Sequence, residues 1–233
     1  MKNKWALITI AIVGLGTFYT YADTKEEKRT GDVDSLFGSV VVSKGDDVKD
    51  VSTLNGSVKM LDDSHASDVS TVNGSIKIGN NVSVDSVEVV NGSVKSGRLL
   101  KVKDDIETVN GSISLDSQST INGNIETVNG RIAVADKSMV EGNVETVNGD
   151  IDLSGVKVGK NLVTVNGDIE ILKGTVINGD IMIGDKDDFD EDDDETTLTI
   201  DAESEVKGTI HLYRKVELRI AKNAKTGEIK KHY

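Results

Sequence analysis

The sequence predicts an all-β fold, a single-stranded parallel β-helix (β-solenoid) with coils of 18–19 residues. Three observations predict it. An Asn-Gly pair recurs at a nearly constant interval, Val and Ile alternate with polar residues around each pair, and only 8 of the 233 residues are aromatic. Alternation of β-branched and polar residues is typical of strands. A narrow coil stacks aliphatic side chains on their copies and leaves little room for rings.

Seven Asn-Gly pairs, each preceded by Val or Leu, mark the repeat. Successive Asn residues are 18, 18, 19, 19, 19 and 18 residues apart. A fixed interval of this length indicates a stacked repeat architecture. We expect these Asn residues to stand at repeat corners, to hydrogen-bond along a stacked ladder, and to precede a Gly whose backbone conformation is costly for other residues. The predicted corners are Asn55, Asn73, Asn91, Asn110, Asn129, Asn148 and Asn166.

Apolar residues recur at fixed places in the unit: four residues before each Asn, one before it, three after it and, in most units, five after it. One unit has Ile106, Val109, Ile113 and Leu115 in these places. The period near two predicts short strands broken at corners. Corners interrupt the alternation, so the pattern leaves open whether the residue just before each Asn faces inward or outward.

A chain of antiparallel hairpins is the alternative, because Asn-Gly between short strands is a strong hairpin signal. Hairpins joined by loops would tolerate looser spacing, however, and stacked coils would not. The constant interval therefore favours the solenoid. Nine or ten coils at about 4.8 Å each would form a rod roughly 45 Å long.

The amino terminus has the pattern of a secretory signal peptide over residues 1–22. Lys2 and Lys4 precede an apolar run, and Thr20-Tyr21-Ala22 offers a small residue at the exit. An uncleaved membrane anchor is the alternative reading, because the apolar run approaches spanning length. With cleavage, we expect an exported protein without membrane insertion, located in the periplasm, at the cell surface or in the medium.

The remaining chain divides by composition. We assign residues 23–36 to a lead-in or cap, 37–184 to the solenoid repeats, 185–195 to an acidic loop, 196–220 to terminal coils and 221–233 to a basic tail. Phe37-Gly38-Ser39-Val40 is a degenerate leading copy of the unit, and Lys207-Gly208-Thr209-Ile210 is a trailing one.

The segment 185–195 contains nine acidic residues and one Lys. Carboxylates at this density suit Ca²⁺, which takes six to eight oxygen ligands. The order of EF-hand ligands is absent, so a solvated acidic loop is the favoured interpretation. The calcium candidates are Asp185, Asp187, Asp188, Asp190, Asp192 and Asp194.

Two further columns of the repeat invite interpretation. Glu88, Glu107, Glu126 and Glu145 each stand three residues before an Asn. They predict either a stripe that binds cations or, preferably, a solvated face. A Thr column lies one residue closer to Asn, and Thr there is most simply a good strand former.

Composition and motifs argue against most catalytic and nucleic-acid functions. The formal net charge is −13, which disfavours nucleic acid as a partner, and there is no Cys. The sequence contains no nucleophile elbow, no phosphate-binding loop and no metal-ligand spacing of His. His65, His211 and His232 look isolated. We therefore expect no enzymatic activity, no catalytic residues, no metal site beyond the calcium candidates and no cofactor.

The unit Thr-Val-Asn-Gly-Asp-Ile at Thr146–Ile151 and Thr164–Ile169 resembles the signature of a bacterial adhesin family of β-solenoids. More distantly, the chain resembles the polymer-forming bactofilins. The first resemblance implies a non-enzymatic envelope protein with a structural or adhesin-like binding role and an unknown envelope or extracellular ligand. The second implies a self-assembling scaffold with end-to-end association. A calcium-dependent acidic binding module is a further alternative.

Overall fold

The protein is a β-solenoid, which confirms the predicted fold class. The structure is a computed structural model that describes residues 30–184 and 196–233. These residues form no helix. Three parallel sheets, here called A, B and C, run along a stack of about ten coils. The predicted signal peptide, 1–22, lies outside the described residues.

Sheet A contains eleven strands, and the predicted Asn corners stand at the ends of seven of them. Each pair of neighbours is parallel and in register, so that Asn110 lies opposite Asn129, for example. The strands are Val33–Phe37, Val51–Asn55, Asp68–Asn73, Ser86–Asn91, Ile106–Asn110, Ile125–Asn129, Val144–Asn148, Leu162–Asn166, Ile181–Ile183, Ile210–Leu212 and Ile229–Lys231.

Sheet B contains ten strands, which follow the Asn-Gly corner. Most are three residues long with the central residue facing outward. The strands are Val40–Val42, Val58–Met60, Ile76–Ile78, Val94–Ser96, Ile113–Leu115, Ile132–Val134, Ile151–Ser154, Ile169–Leu172, Thr196–Ile200 and Val216–Ile220.

Sheet C contains eight two-residue strands, which close the third side of each coil. Their second residues are apolar in seven strands and point inward. The strands are Ser83–Val84, Lys101–Val102, Thr120–Ile121, Met139–Val140, Lys157–Val158, Val176–Ile177, Glu205–Val206 and Lys225–Thr226.

Aliphatic ladders along the rod axis form the core. The column four residues before each Asn is fully buried, and the columns three and five after it are buried as well. Ile106, Ile125 and Val144, for example, stack in register with no exposed surface. Burial of this surface against the next coil is the main stabilising term in a stacked repeat.

The stack extends beyond the predicted bounds at both ends. Val33–Phe37, of which all but the last residue falls in the predicted lead-in, pairs with Val51–Asn55. Ile229–Lys231, within the predicted basic tail, pairs with Ile210–Leu212. The alternation is weak in these outer coils because each has a neighbour on one side only, so fewer positions need apolar side chains.

Candidate functional site

The seven corner Asn residues form one continuous ladder on the edge of sheet A. Each side-chain amide nitrogen donates to the amide oxygen of the preceding Asn, over 2.9–3.1 Å. The guanidinium of Arg214 donates to the last amide oxygen, that of Asn166. All seven Asn residues are exposed. The ladder therefore binds each coil to the next along the exposed edge of sheet A.

The Gly after each Asn is required for close approach, and at two of the seven corners also for its φ angle. Gly92 and Gly167 have φ of 152° and 151°, as we expected, whereas at the other five corners the φ angle lies outside the left-handed region. A Cβ at Gly130 would lie 2.2 Å from the carbonyl oxygen of Gly111 in the preceding coil. Only Gly lets successive corners stack this tightly.

Side-chain hydroxyls and carboxylates form hydrogen bonds with the backbone groups of the tight corner. The Thr127 hydroxyl donates to the Gly111 carbonyl over 3.1 Å. The hydroxyl of Ser112, after Gly111, accepts from the backbone N–H of Arg131 over 3.3 Å. Asp150 takes the place of Ser in a later coil and accepts from the N–H of Asp168 over 3.0 Å. The Thr column therefore faces inward, and the Ser and Asp residues serve the repeat itself.

The glutamate stripe (Glu88, Glu107, Glu126 and Glu145) lies on the outward face of sheet A. These residues stand opposite one another in register, about 4.8 Å apart along the rod. All four are half-buried. Burial, followed by repulsion from Glu126, Glu88 and Asp105, raises the pKa of Glu107 to about 7. The preferred prediction was a solvated face, and these outward carboxylates are only partly solvated.

More carboxylates extend the acidic face toward the first coil. Burial and repulsion from Asp68 raise the pKa of Asp50, and the same two causes raise that of Glu88. Asp34 and Asp68 each accept a hydrogen bond of 2.6 Å from a Ser hydroxyl of the following coil. Negative charge thus accumulates on one side of the rod.

An aliphatic stripe runs beside the glutamate stripe on the same outward face. It consists of the residues just before each Asn position, so the question left open by the sequence is settled: these side chains face solvent. Most are half-buried, and Leu54 is 38% exposed. The stripe contains Leu36, Leu54, Val72, Val90, Val109, Val128, Val147 and Val165. A continuous apolar strip on an outward face is typical of an interaction surface.

Sheet B presents a different outward face. Lys59, Lys77 and Lys95 are exposed and stand in register on successive strands. Asp152 and Glu170 occupy the same column further along, and Arg131 pairs with Asp152. The sequence contains this signal, because each of the three Lys residues stands four residues after an Asn.

His211, Tyr213 and His232 form a stacked ring cluster in the last coils, so the prediction that the His residues are isolated is wrong for two of them. His211 Nδ1 lies 3.0 Å from His232 Nε2, and the ring centroids of Tyr213 and His232 are 4.5 Å apart. His65 Nδ1 lies 2.9 Å from an Asp47 carboxylate oxygen. Pairing of strands 19 residues apart brings the first three together, which short-range patterns cannot reveal.

Metal and membrane features can be described only for residues 30–184 and 196–233. There, no three His, Asp or Glu side chains are arranged to hold a metal ion, and no helix is long and apolar enough to cross a membrane. The calcium candidates in 185–195 lie outside these residues. A shallow depression on sheet C is lined by residues that include Asp85, Lys103 and Thr120, with Lys103 Nζ 3.3 Å from Asp85.

Comparisons with protein families, with curated proteins and with solved structures find no match to this chain.

Proposed function

We propose that this chain is an exported, non-enzymatic envelope protein with an adhesin-like binding role, and that the outward face of sheet A is its binding surface. One observation carries the proposal: the glutamate stripe and the aliphatic stripe run side by side along the same face. Half-buried carboxylates with a raised pKa carry repulsion that a cationic partner would relieve. The aliphatic stripe adds apolar contact along the same line.

The partner that fits this face is a cationic, amphipathic polypeptide segment. Its Lys or Arg side chains would neutralise Glu107 and Glu126, and its apolar side chains would cover Val109 and Val128. The stripes span several coils, so an extended segment lying along the rod meets a carboxylate and an aliphatic side chain at each coil. Charge-driven recognition of this kind is sensitive to salt.

Binding of a synthetic peptide of alternating Lys and Val tests the proposal. We expect fluorescence anisotropy to report binding at 50 mM salt that weakens at 500 mM. The double variant Glu107→Gln/Glu126→Gln should weaken it about tenfold or more, and Val109→Ser/Val128→Ser should weaken it as well. The matched control, Glu170→Gln/Glu205→Gln on other faces, should leave it unchanged. Equal losses in all variants would refute sheet A as the surface.

Export and lack of turnover need separate tests. Fusion of residues 1–22 to a periplasmic reporter should direct its export. Purified protein should not cleave cell-wall or extracellular polysaccharide. Turnover that a surface Asp or Glu substitution abolishes would overturn the non-enzymatic assignment.

A self-assembling scaffold is the second candidate, favoured by opposite charge at the two ends of the stack. Residues 32–50 contain five acidic and two basic residues, whereas 214–233 contain two acidic and seven basic ones. Head-to-tail stacking of such ends would generate filaments, because each added copy leaves a free end to which the next copy can bind. Sedimentation that grows steadily with concentration, and that Lys230→Glu/Lys231→Glu abolishes, would support this candidate. A species of constant size at high concentration would remove it.

A further inference from the structure

The charges on sheet B are arranged antisymmetrically along the rod. Its central column consists of the outward residue of each successive strand, and neighbours in the column are strand partners in register. The column is Val41, Lys59, Lys77, Lys95, Ser114, Ala133, Asp152, Glu170, Thr199 and Arg219. Two small residues at the centre thus separate three Lys residues from two acidic ones, and the column ends in Val41 on one side and in Thr199 and Arg219 on the other.

A two-fold axis parallel to the strands, through the midpoint between Ser114 and Ala133, maps the two inner Lys residues of the column onto its two acidic residues. Counting outward from that midpoint, Lys95 has the same rank as Asp152, and Lys77 has the same rank as Glu170. Two rods packed antiparallel across sheet B would therefore place four oppositely charged pairs in contact, two on each side of the axis. An isologous interface requires this kind of self-complementarity.

One flanking column agrees with the same axis. The two-fold axis runs parallel to the strands, so it keeps each column facing itself: in the column two residues before the central one, Asp150 of one copy faces Ser93 of the other, and Asp168 faces Ser75. Arg131 faces Ser112 and keeps its ion pair with Asp152 of its own chain. Asp150 and Asp168 enlarge the acidic half, and hydrogen bonds to the backbone N–H groups of Asp168 and Thr197 fix their carboxylates.

Other occupants would match only part of this face. An acidic partner would meet the Lys half and be repelled by Asp152 and Glu170, and a basic partner would meet the reverse. A second copy in parallel orientation would place Lys on Lys. Only an antiparallel copy sets a Lys opposite both Asp152 and Glu170.

We propose that two copies of this chain pack antiparallel through sheet B, with the two-fold axis between Ser114 and Ala133. This inference is independent of the partner proposed for sheet A. The short side chains at the axis permit close approach of the two sheets. The eight rows from Lys59 to Thr199, at about 4.8 Å each, form a strip about 38 Å long. A narrow strip of that length lies at the small end of specific interfaces, so the dimer is weak and sensitive to salt.

Sedimentation velocity of the purified chain, from 10 μM to 1 mM, tests the dimer with a charge swap. Lys77→Glu sets like charges opposite each other at two symmetric places, as does Glu170→Lys, and each should weaken dimerisation about tenfold or more. The double variant Lys77→Glu/Glu170→Lys should restore it. Lys101→Glu, a charge reversal on sheet C, is the matched control and should leave the dimer intact.

The dependence of the dimer on salt and the number of copies in the assembly complete the test. The dimer should weaken between 50 and 500 mM salt. A monomer at every concentration at 50 mM salt would overturn the proposal, as would a double variant that fails to restore the dimer. Growth beyond two copies that Lys77→Glu leaves unchanged would assign association to the ends of the rod instead, which also overturns it. Circular dichroism of each variant should report an intact β-structure.

Discussion

Glu107 and Glu126 stand opposite each other on neighbouring strands of sheet A, and the pKa of Glu107 is about 7. This pKa lies above the ordinary 4.5 because the site disfavours the charged carboxylate. The folded protein therefore holds this proton more tightly than the unfolded chain does. The resulting stability is complete below about pH 4.5 and is lost as the pH rises through 7.

Glu107→Gln should consequently stabilise the protein at pH 8, by about 0.5–1 kcal/mol, because it removes one member of a row of like charges. At pH 4 the variant and the parent should differ little. Urea denaturation at both pH values measures the difference. Glu141→Gln, at an exposed position beside sheet C, serves as the control. A variant that gains as much stability at pH 4 as at pH 8 would contradict the charge explanation.

The inward Thr hydroxyls make a second prediction possible. Thr127→Val keeps the shape of the side chain but removes the donor to the Gly111 carbonyl, so it should cost about 1–3 kcal/mol. The chain also offers the reverse experiment, because Val89 occupies the same column. Val89→Thr should add a donor toward Gly74 and gain up to about 1 kcal/mol. Loss of stability in both variants would mean that packing, rather than the hydrogen bond, sets the preference.

The Asn ladder can be interrupted at its middle. Asn129→Ala removes its bonds to Asn110 and Asn148, and we expect a loss of about 0.5–1.5 kcal/mol in the free energy of unfolding. Asn129→Asp keeps the acceptor for Asn148 and loses the donor to Asn110, so at pH 7 it should also be less stable than the parent. Thermal denaturation of these variants, compared with Asn122→Ala on the sheet C side, separates the ladder from a general surface effect.

Leu99 has a left-handed backbone conformation, with φ of 62°, that is costly for a residue with a Cβ. Its counterpart one coil earlier is Asn81, with φ of 55°, and one coil later is Gln118, with φ of 64°. Leu99→Gly should stabilise the protein by about 0.5–1 kcal/mol, and Leu99→Asn by less. Leu99→Ala removes the same exposed side chain but keeps the backbone cost. Equal gains for Ala and Gly would show that exposure of Leu, not φ, is responsible.

The repeat interval was sufficient to predict the fold, since coil length must stay nearly constant for Ile106 to stack on Ile125. Side-chain direction near the corner was not predictable in this way. Val128 faces solvent and Thr127 faces the core, the opposite of what hydrophobicity suggests. The cause is the Gly130 corner, whose close approach leaves a carbonyl oxygen in each coil that needs an inward hydroxyl. Contacts such as His211 with His232 depend on which coils stack, and that register follows only from the whole structure.

The corner geometry also bears on the chemical ageing of the protein. Asn-Gly is the dipeptide most prone to deamidation, in which the Gly nitrogen attacks the Asn side-chain carbonyl to form a succinimide. Here the Gly130 N–H is bound to the Asn148 carbonyl over 3.0 Å, and the ladder holds the Asn129 side chain in place. Neither group can turn toward the other while the coils are stacked. The same backbone bond holds the Gly N–H at six of the seven corners, those from Asn55 to Asn148. These six sites, which would decay quickly in an unfolded chain, are therefore protected for as long as the rod stays folded, and the rate of local unfolding sets their lifetime.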